Sequence, residues 1–244
     1  MLPISLSEVM CNQAIIDKSY LDQFEKIHWQ YNKSEEIKIP AIRKQEKLDQ
    51  IIMNYFEFGG LPMTFKFSEK NEKLHEISLI LERGFELMSV ENNTIADKVR
   101  SELAELHSKE FTYKNILERC RLRRRETIND IIDDLINHGY LVRKKPLVLG
   151  TKKESYLTVF SYIDPGIVSY LRPEISNNLI GTQIEGYVHA RLDYLVRNSV
   201  FKSELEYFKP FSVDPAGNLR FQSGEIDFIL AVLDGISLSA VPFV

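Results

Sequence analysis

The sequence predicts an α+β protein, and three patterns carry that expectation. Apolar residues recur at helical intervals in successive blocks up to His138. Two strand-like runs follow Gly139, and from Leu179 onward the order becomes helix, strand, hairpin, strand. With 244 residues the chain has room for one large or two small cores. The pattern divides it into a helical segment over 1–94, a unit of three helices and a hairpin over 95–171, and an α/β core over 172–244.

Each element has its own signal. Ser5-x-x-Glu8 reads as a capping box, and Arg43 to Phe56, after Ser34-Glu-Glu, has amphipathic spacing that Gly59-Gly60-Leu61-Pro62 stops sharply. Asn71–Ser89 places Leu74, Ile77, Leu81 and Phe85 at near-helical intervals, which predicts core packing. Three helices follow, over Ala96–Ser108, Thr112–Cys120 and Glu126–His138. The third carries Ile128, Ile131, Ile132, Leu135 and Ile136 on one stripe, with Gly139 as its left-handed terminator. Strands are expected over Tyr140–Arg143, extendable to Leu149, and over Ser155–Ile163, with Gly150-Thr-Lys-Lys as the turn between them. Three helices and a β-hairpin is the order of a winged helix-turn-helix, and Asp164-Pro165-Gly166 ends its second strand. Further on, Asp214-Pro-Ala-Gly-Asn218 is a hairpin turn. From Glu225 to Val232, Ile226, Phe228, Leu230 and Val232 alternate with Asp227 on the other face.

Composition narrows the function classes. The chain is 44% hydrophobic and 27% charged with a formal net charge of −4, ordinary for a soluble globular protein. It holds no run near the ~18 apolar residues that a membrane span needs, and its first ten residues lack the basic start and apolar stretch of a signal peptide. Cys11 and Cys120 suit a reducing cytoplasm and form no Cys-x-x-Cys motif. Five scattered histidines include no His-Glu-x-x-His, which argues against a classical metallohydrolase.

One region departs from the overall acidity. From Lys114 to Lys153 there are 11 basic residues against five acids, a local excess of +6 in a chain that nets −4. Arg121, Arg123, Arg124 and Arg125 precede the third helix; Arg143, Lys144, Lys145, Lys152 and Lys153 lie along the hairpin and its turn. In a winged helix the recognition helix enters the major groove N-terminus first while the wing touches phosphates, so these nine residues are the expected contacts to duplex DNA. Arginine-rich turns are also common solvated features. Asp130, Asp133 and Asp134 on the helix's outer face would repel DNA along its length, which leaves docking to another protein as the competing use of the same unit.

The chain also resembles a family. Leu2-Pro-Ile-Ser-Leu-Ser-Glu-Val9 is similar to the "PLSFREF"-like segment that closes the ATPase domain of bacterial and archaeal AAA-type ATP-binding proteins. Tyr55-Phe-Glu-Phe-Gly-Gly-Leu-Pro62 resembles their "YL-x-x-GGLP" signature, and Tyr162-Ile-Asp-Pro-Gly166 their "Y-x-x-D-x-G". Gly181-x-x-x-Glu185 and Glu225-Ile-Asp227-Phe resemble the last two blocks of that family, whose C-terminal domain of unknown function has a PD-(D/E)XK nuclease-like core. The resemblance spans essentially the whole chain in order. It implies a winged helix followed by a truncated restriction-endonuclease-like α/β core.

Two departures accompany it. No Gly-x-x-x-x-Gly-Lys-Ser/Thr occurs, and Gly181 and Gly186 have the glycine spacing but are followed by Tyr187 and Val188, so no ATP site is expected. The family's "IEVK" ending aligns with Ser239-Ala-Val-Pro242, which puts Ala240 and Pro242 where an acid and a lysine belong. The chain is then expected to be a shortened homologue or a fragment of a longer product.

A nuclease of that class holds Mg²⁺ with carboxylate oxygens and uses a lysine to activate water or stabilise the developing charge. Glu185 and Asp227, with Glu225 nearby, are the candidate ligands. Without the lysine the acids are expected to be remnants, no cofactor is needed, and no catalytic residue is expected. Glu185 and His189 share a helical face, which permits a metal pair, although a surface contact is the simpler expectation. The function predicted is a non-catalytic DNA- or protein-binding accessory module on a degenerate nuclease-like scaffold, cytoplasmic and without membrane contact. Two alternatives stand beside it: a Mg²⁺-dependent nuclease using Glu185 and Asp227, and the C-terminal half of a split ATPase that docks on a separate motor domain through an exposed Leu2–Val9.

Overall fold

A capping box opens the chain, as its sequence predicts: Glu8 N–H donates to Ser5 Oγ (3.3 Å) and Ser5 N–H to Glu8 Oε2 (2.6 Å), starting α1 (Leu6–Asn12). The computed structural model describes residues 3–13, 45–88, 93–146, 158–173, 179–197, 203–208, 211–213, 219–221, 226–234 and 237–243. The helix-start signal at Ser34, the turns at 150–153 and 214–218, and Glu225 lie outside them. Helices α2 (Gln45–Phe58) and α3 (Lys70–Glu86) are joined by the Gly59–Leu61 turn and a 3₁₀ turn over Pro62–Lys66. Then come α4 (Asn93–Glu105), α5 (Tyr113–Cys120) and α6 (Arg125–Asn137).

The apolar stripe of α6 is buried at Ile128, Ile131, Ile132 and Leu135, while Ile136 is half-buried. The helix closes with Gly139 at φ +73°, where Tyr140 N–H donates to Leu135 O and Gly139 N–H to Ile136 O. That pair of bonds is a Schellman stop and needs the left-handed residue that glycine supplies most readily.

Strands β2 (Leu141–Pro146) and β3 (Thr158–Tyr162) pair antiparallel, and β1 (Glu110–Phe111) pairs with β3. The turn at Asp164 ends β3 and also does something the sequence reading missed. It starts a helix, α7 (Pro165–Leu171), with Asp164 as N-cap and Pro165 in the first turn. Asp before Pro is a helix-start signal in its own right. Helix α8 (Leu179–Arg197) then leads to β4 (Ser203–Phe208), a small hairpin of β5 (Phe211–Val213) and β6 (Leu219–Phe221), β7 (Ile226–Asp234) and β8 (Ser237–Phe243).

The strands form a six-stranded sheet in the order β1-β3-β2-β4-β7-β8, beside the separate β5-β6 pair. Only the β2–β4 pairing is parallel. The architecture is α+β. The sheet joins residues on both sides of the boundary expected at 171/172, because Lys145 and Pro146 of β2 pair with Glu206 and Tyr207 of β4. β2 thus pairs with β3 over Leu141–Lys144 and with β4 at Lys145 and Pro146.

The main core gathers α3 to α7, β2 and β3 around Ile77, Leu103, Phe111, Ile128 and Phe160. A second, smaller cluster of Val9, Leu48, Ile51 and Tyr55 joins α1 to α2, with Tyr187 of α8 packed against it.

The motif segments meet in one knot. Asp164 is fully buried; its Oδ2 accepts from Gly60 N–H (2.6 Å) and its Oδ1 from Gly166 N–H (2.8 Å). Burial pushes this carboxyl up to about 7, against the pull of backbone donors at Gly60, Gly166 and Ile167. Gly59, at φ +75°, leaves no room for a side chain, since a Cβ there would lie 1.7 Å from Asp164 Oδ1. Ile4 N–H donates to Gly60 O (2.7 Å), Tyr55 OH to Ile4 O (2.8 Å), and Leu6 N–H to Tyr187 OH (3.0 Å). This corrects the expectation of an exposed docking edge over Leu2–Val9: Ser5 and Val9 are buried, and the segment is held by the chain's own α2 turn and α8.

Candidate functional site

Glu185 sits on α8, half-exposed at its tip, and it does not stand alone. The ammonium of Lys144, from β2, lies 3.4 Å from its Oε1. Lys144 is 1% exposed, so it cannot reach a phosphate on the surface. Its expected role as a DNA contact is thus overturned by burial: β2 is an interior strand here, and its alternate residues point into the protein. A buried ammonium needs a charged or hydrogen-bonding neighbour, and Glu185 provides one.

A polar seam runs beside this pair. His189, one helical turn after Glu185, is wholly buried, and its Nδ1 is hydrogen-bonded to Ser161 Oγ of β3 (2.8 Å). This corrects the expectation of a surface contact or a metal pair with Glu185, because the ring faces β3. Ser161 Oγ shares a second bond with Ser108 Oγ (2.9 Å), and Tyr162 N–H donates to His107 Nδ1 (3.2 Å). Burial pushes the His107 imidazole down to about 3, with Lys109 adding to the effect. Burial also holds His189 well below the ordinary histidine range, helped by the Lys144 charge. Both rings are neutral near pH 7. Gly186 explains itself here: a Cβ at that position would lie 1.9 Å from His107 Nε2. Its glycine reflects close packing of α8 against the turn that follows α4 rather than a phosphate loop.

Asp227 lies in β7, at a break in the ladder. Glu206 pairs with Ile229 and Phe208 with Ile226, so two steps along β4 face three along β7 and one residue at 227–228 is left over. Such one-residue insertions bend a strand and recur beside functional sites. On β8, Ala240 pairs with Ala231 and Pro242 with Ile229. Mg²⁺ requires several oxygen ligands in near-octahedral array. The described side chains offer Glu185 with an ammonium already beside it, and among them no group of three His, Cys, Asp or Glu could hold a metal ion.

The arginine turn is a different kind of site. Arg121, Arg123, Arg124, Arg125 and Arg143 are all exposed. Arg121 closes α5 with φ +55°, a left-handed conformation at a residue that is not glycine. Arg124 is the N-cap of α6 with no side-chain cap bond, and Arg125 is its first residue, its guanidinium 4.2 Å from the ring centre of Tyr113. Other bases nearby are already engaged: Arg119 pairs with Glu102 (2.9 Å) and Lys114 with Glu118 (3.7 Å). Asp130 and Asp133 are exposed farther along α6, as expected, while Asp134 is half-buried. The side chain of Lys145 and all of Lys152 and Lys153 lie outside what is described.

No family model, curated protein or solved structure matches this chain. Among the described residues, no helix is long and apolar enough to cross a membrane.

Proposed function

We propose that this chain is a non-catalytic accessory module that contacts duplex DNA through the α5–α6 turn. The observation that carries the proposal is that arginine occupies three special positions of one short turn, 121, 124 and 125, where local physics disfavours it. A non-glycine residue in the left-handed region, here Arg121, costs about 1–2 kcal/mol. N-caps favour Asn, Asp and Ser over residues that cannot accept a backbone bond, yet Arg124 stands there. A positive charge in the first turn opposes the helix macrodipole, yet Arg125 stands there. Local rules are broken together where function gains from it. The gain here is a dense positive surface with uncapped backbone donors of α6 behind it, a combination suited to phosphate oxygens.

The wider architecture supports the same family of readings. Helices α4, α5 and α6 followed by β2 and β3 have the order of a winged helix, with α6 as the recognition helix. Helix α8 with β4, β7 and β8 has the order of a restriction-endonuclease-like core. Three of the segments resembling the AAA-type ATP-binding proteins, around Ile4, Gly60 and Asp164, meet at Asp164, which gives a physical reason for their residue types. The test is fluorescence anisotropy with a labelled generic duplex over a salt series. Wild-type protein should bind with affinity falling as salt rises, and Arg123→Ala/Arg124→Ala should weaken binding while the fold is retained. Binding that ignores salt, or is untouched by the double substitution, overturns the proposal.

One observation favours a second reading, a metal-dependent nuclease: a lysine, Lys144, does stand beside Glu185, supplied by β2 rather than β8. Plasmid nicking in Mg²⁺ or Mn²⁺ that is lost in both Asp227→Ala and Glu185→Gln would establish it in place of the inert scaffold.

A further inference from the structure

The first three helices border a cavity of about 340 Å³, closed on one side by the turn around Gly59 and Thr64. One face of α2 supplies much of its wall. Lys47, Gln50, Ile51, Asn54, Tyr55 and Phe58 all line it, and they follow the i, i+3, i+4, i+7, i+8, i+11 spacing of a single helical face. That face is divided by polarity: Ile51, Tyr55 and Phe58 are buried, whereas Lys47, Gln50 and Asn54 are exposed. The Tyr55 hydroxyl donates to Ile4 O (2.8 Å) and the Thr64 hydroxyl to Leu61 O (2.7 Å). With those two donors spent inside the protein, the buried part of the wall offers an incoming molecule mainly apolar surface.

Charge singles this cavity out. Lys47 and Lys73 line it, and its described lining residues include no Asp or Glu. Lys70 of α3 is paired with Glu57 of α2, but neither Lys47 nor Lys73 has an ion-pair partner among the described residues. Lys73 stands over the Phe58 ring instead, its ammonium 4.7 Å from the ring centre, a contact that holds the charge at the cavity wall. Phe65, 46% exposed, adds a second ring at the rim.

We infer that this cavity binds a small organic anion, its carboxylate or phosphate head neutralised by Lys47 and Lys73 and its flat apolar body covered by Ile51, Tyr55 and Phe58. Ligand pockets run from about 300 to 1,000 Å³, and a cavity at the lower end admits one ring system with its head group rather than a dinucleotide. The amides of Gln13, Gln50 and Asn54, also in the lining, supply neutral donors to the same head. The site belongs to α1, α2 and α3 and has no part in the proposed DNA contact of the α5–α6 turn.

The experiment is a ligand-observed NMR titration of the full chain, at constant ionic strength, with 2-naphthoate, 2-naphthyl phosphate and the neutral 2-naphthamide. At least one anion should bind with a Kd of about 1 mM or tighter, and 2-naphthamide at least about tenfold more weakly, the factor that one charge-assisted hydrogen bond carries. The tighter of the two anions identifies the head group. Lys47→Gln/Lys73→Gln should weaken that anion by about tenfold or more while keeping the far-UV circular dichroism spectrum. Lys47→Gln alone, at an exposed position, should weaken it by about threefold or more, which keeps the comparison open if the double variant does not fold. Anion binding at the arginine turn instead would leave both lysine variants at wild-type affinity, and that overturns the proposal. So does 2-naphthamide binding as tightly as the anions, or no anion binding at about 10 mM.

Discussion

Gly186→Ala is the sharpest test of how α8 is mounted on the helical part of the protein. The added Cβ would lie 1.9 Å from His107 Nε2, 2.4 Å from its Cε1 and 2.9 Å from Ser108 Oγ. The ring has little freedom to yield: His107 is buried, stacked at 6.5 Å on Tyr162 and bonded by Tyr162 N–H. Overpacking of this kind costs about 1–3 kcal/mol. If the ring moves, the buried Tyr162 N–H loses its acceptor, adding about 1–3 kcal/mol. The sum, about 2–6 kcal/mol, should lower the thermal midpoint by roughly 4–24 °C in a chain of this size. The assay is thermal unfolding followed by circular dichroism. A midpoint within error of wild type would refute the described packing of α8 on His107 and with it the seam through Ser161 and His189.

Other substitutions separate fold from function. Arg121→Gly relieves the left-handed strain and should raise stability by about 1 kcal/mol while weakening DNA binding and reducing the salt slope by about 0.9. Loss of both stability and binding would show that Arg121 serves the fold alone. Lys144→Met removes a buried ammonium and should leave DNA affinity and its salt dependence unchanged, since Lys144 is not at the surface; a shallower slope would contradict its placement. Asp164 binds its proton more tightly folded, about 7, than unfolded, 3.8. Between those values the folded state holds the extra proton, so stability should be fullest below about pH 4 as far as this group is concerned and fall as pH rises toward 7. Asp164→Asn should flatten that dependence in pH-resolved urea titrations and, by setting an amide donor against backbone donors, lower stability overall. An unchanged pH profile would refute the assignment.

The sequence was most informative where a local rule acts alone. The capping box at Ser5, the stop at Gly139 and the stripe on α6 follow from nearest-neighbour chemistry, and the structure has them. Asp164-Pro165 carried a helix-start signal as well as a strand stop, and only the strand stop was read. Nothing local distinguishes Lys144 from Arg143. One is buried and the other exposed because adjacent strand residues face opposite sides of the sheet, and Lys144 is on the side that meets Glu185 of α8, 41 residues away. Non-local pairing of that kind leaves no periodic trace. The same is true of the seam: His107, Ser161 and His189 are far apart in sequence and become one unit only when α8 lies on β3. Gly186 was the one available clue, a glycine within a helix that marks a close approach. The cost of arginine at positions 121, 124 and 125 became visible only once the ends of α5 and α6 were placed.

Amide hydrogen exchange in the presence and absence of a generic duplex tests the DNA contact most directly. Protection on DNA addition should be confined to the turn from Arg121 to Arg125 and the first turn of α6. Protection centred on α8 or β7, or none at a duplex concentration that saturates anisotropy, would contradict it.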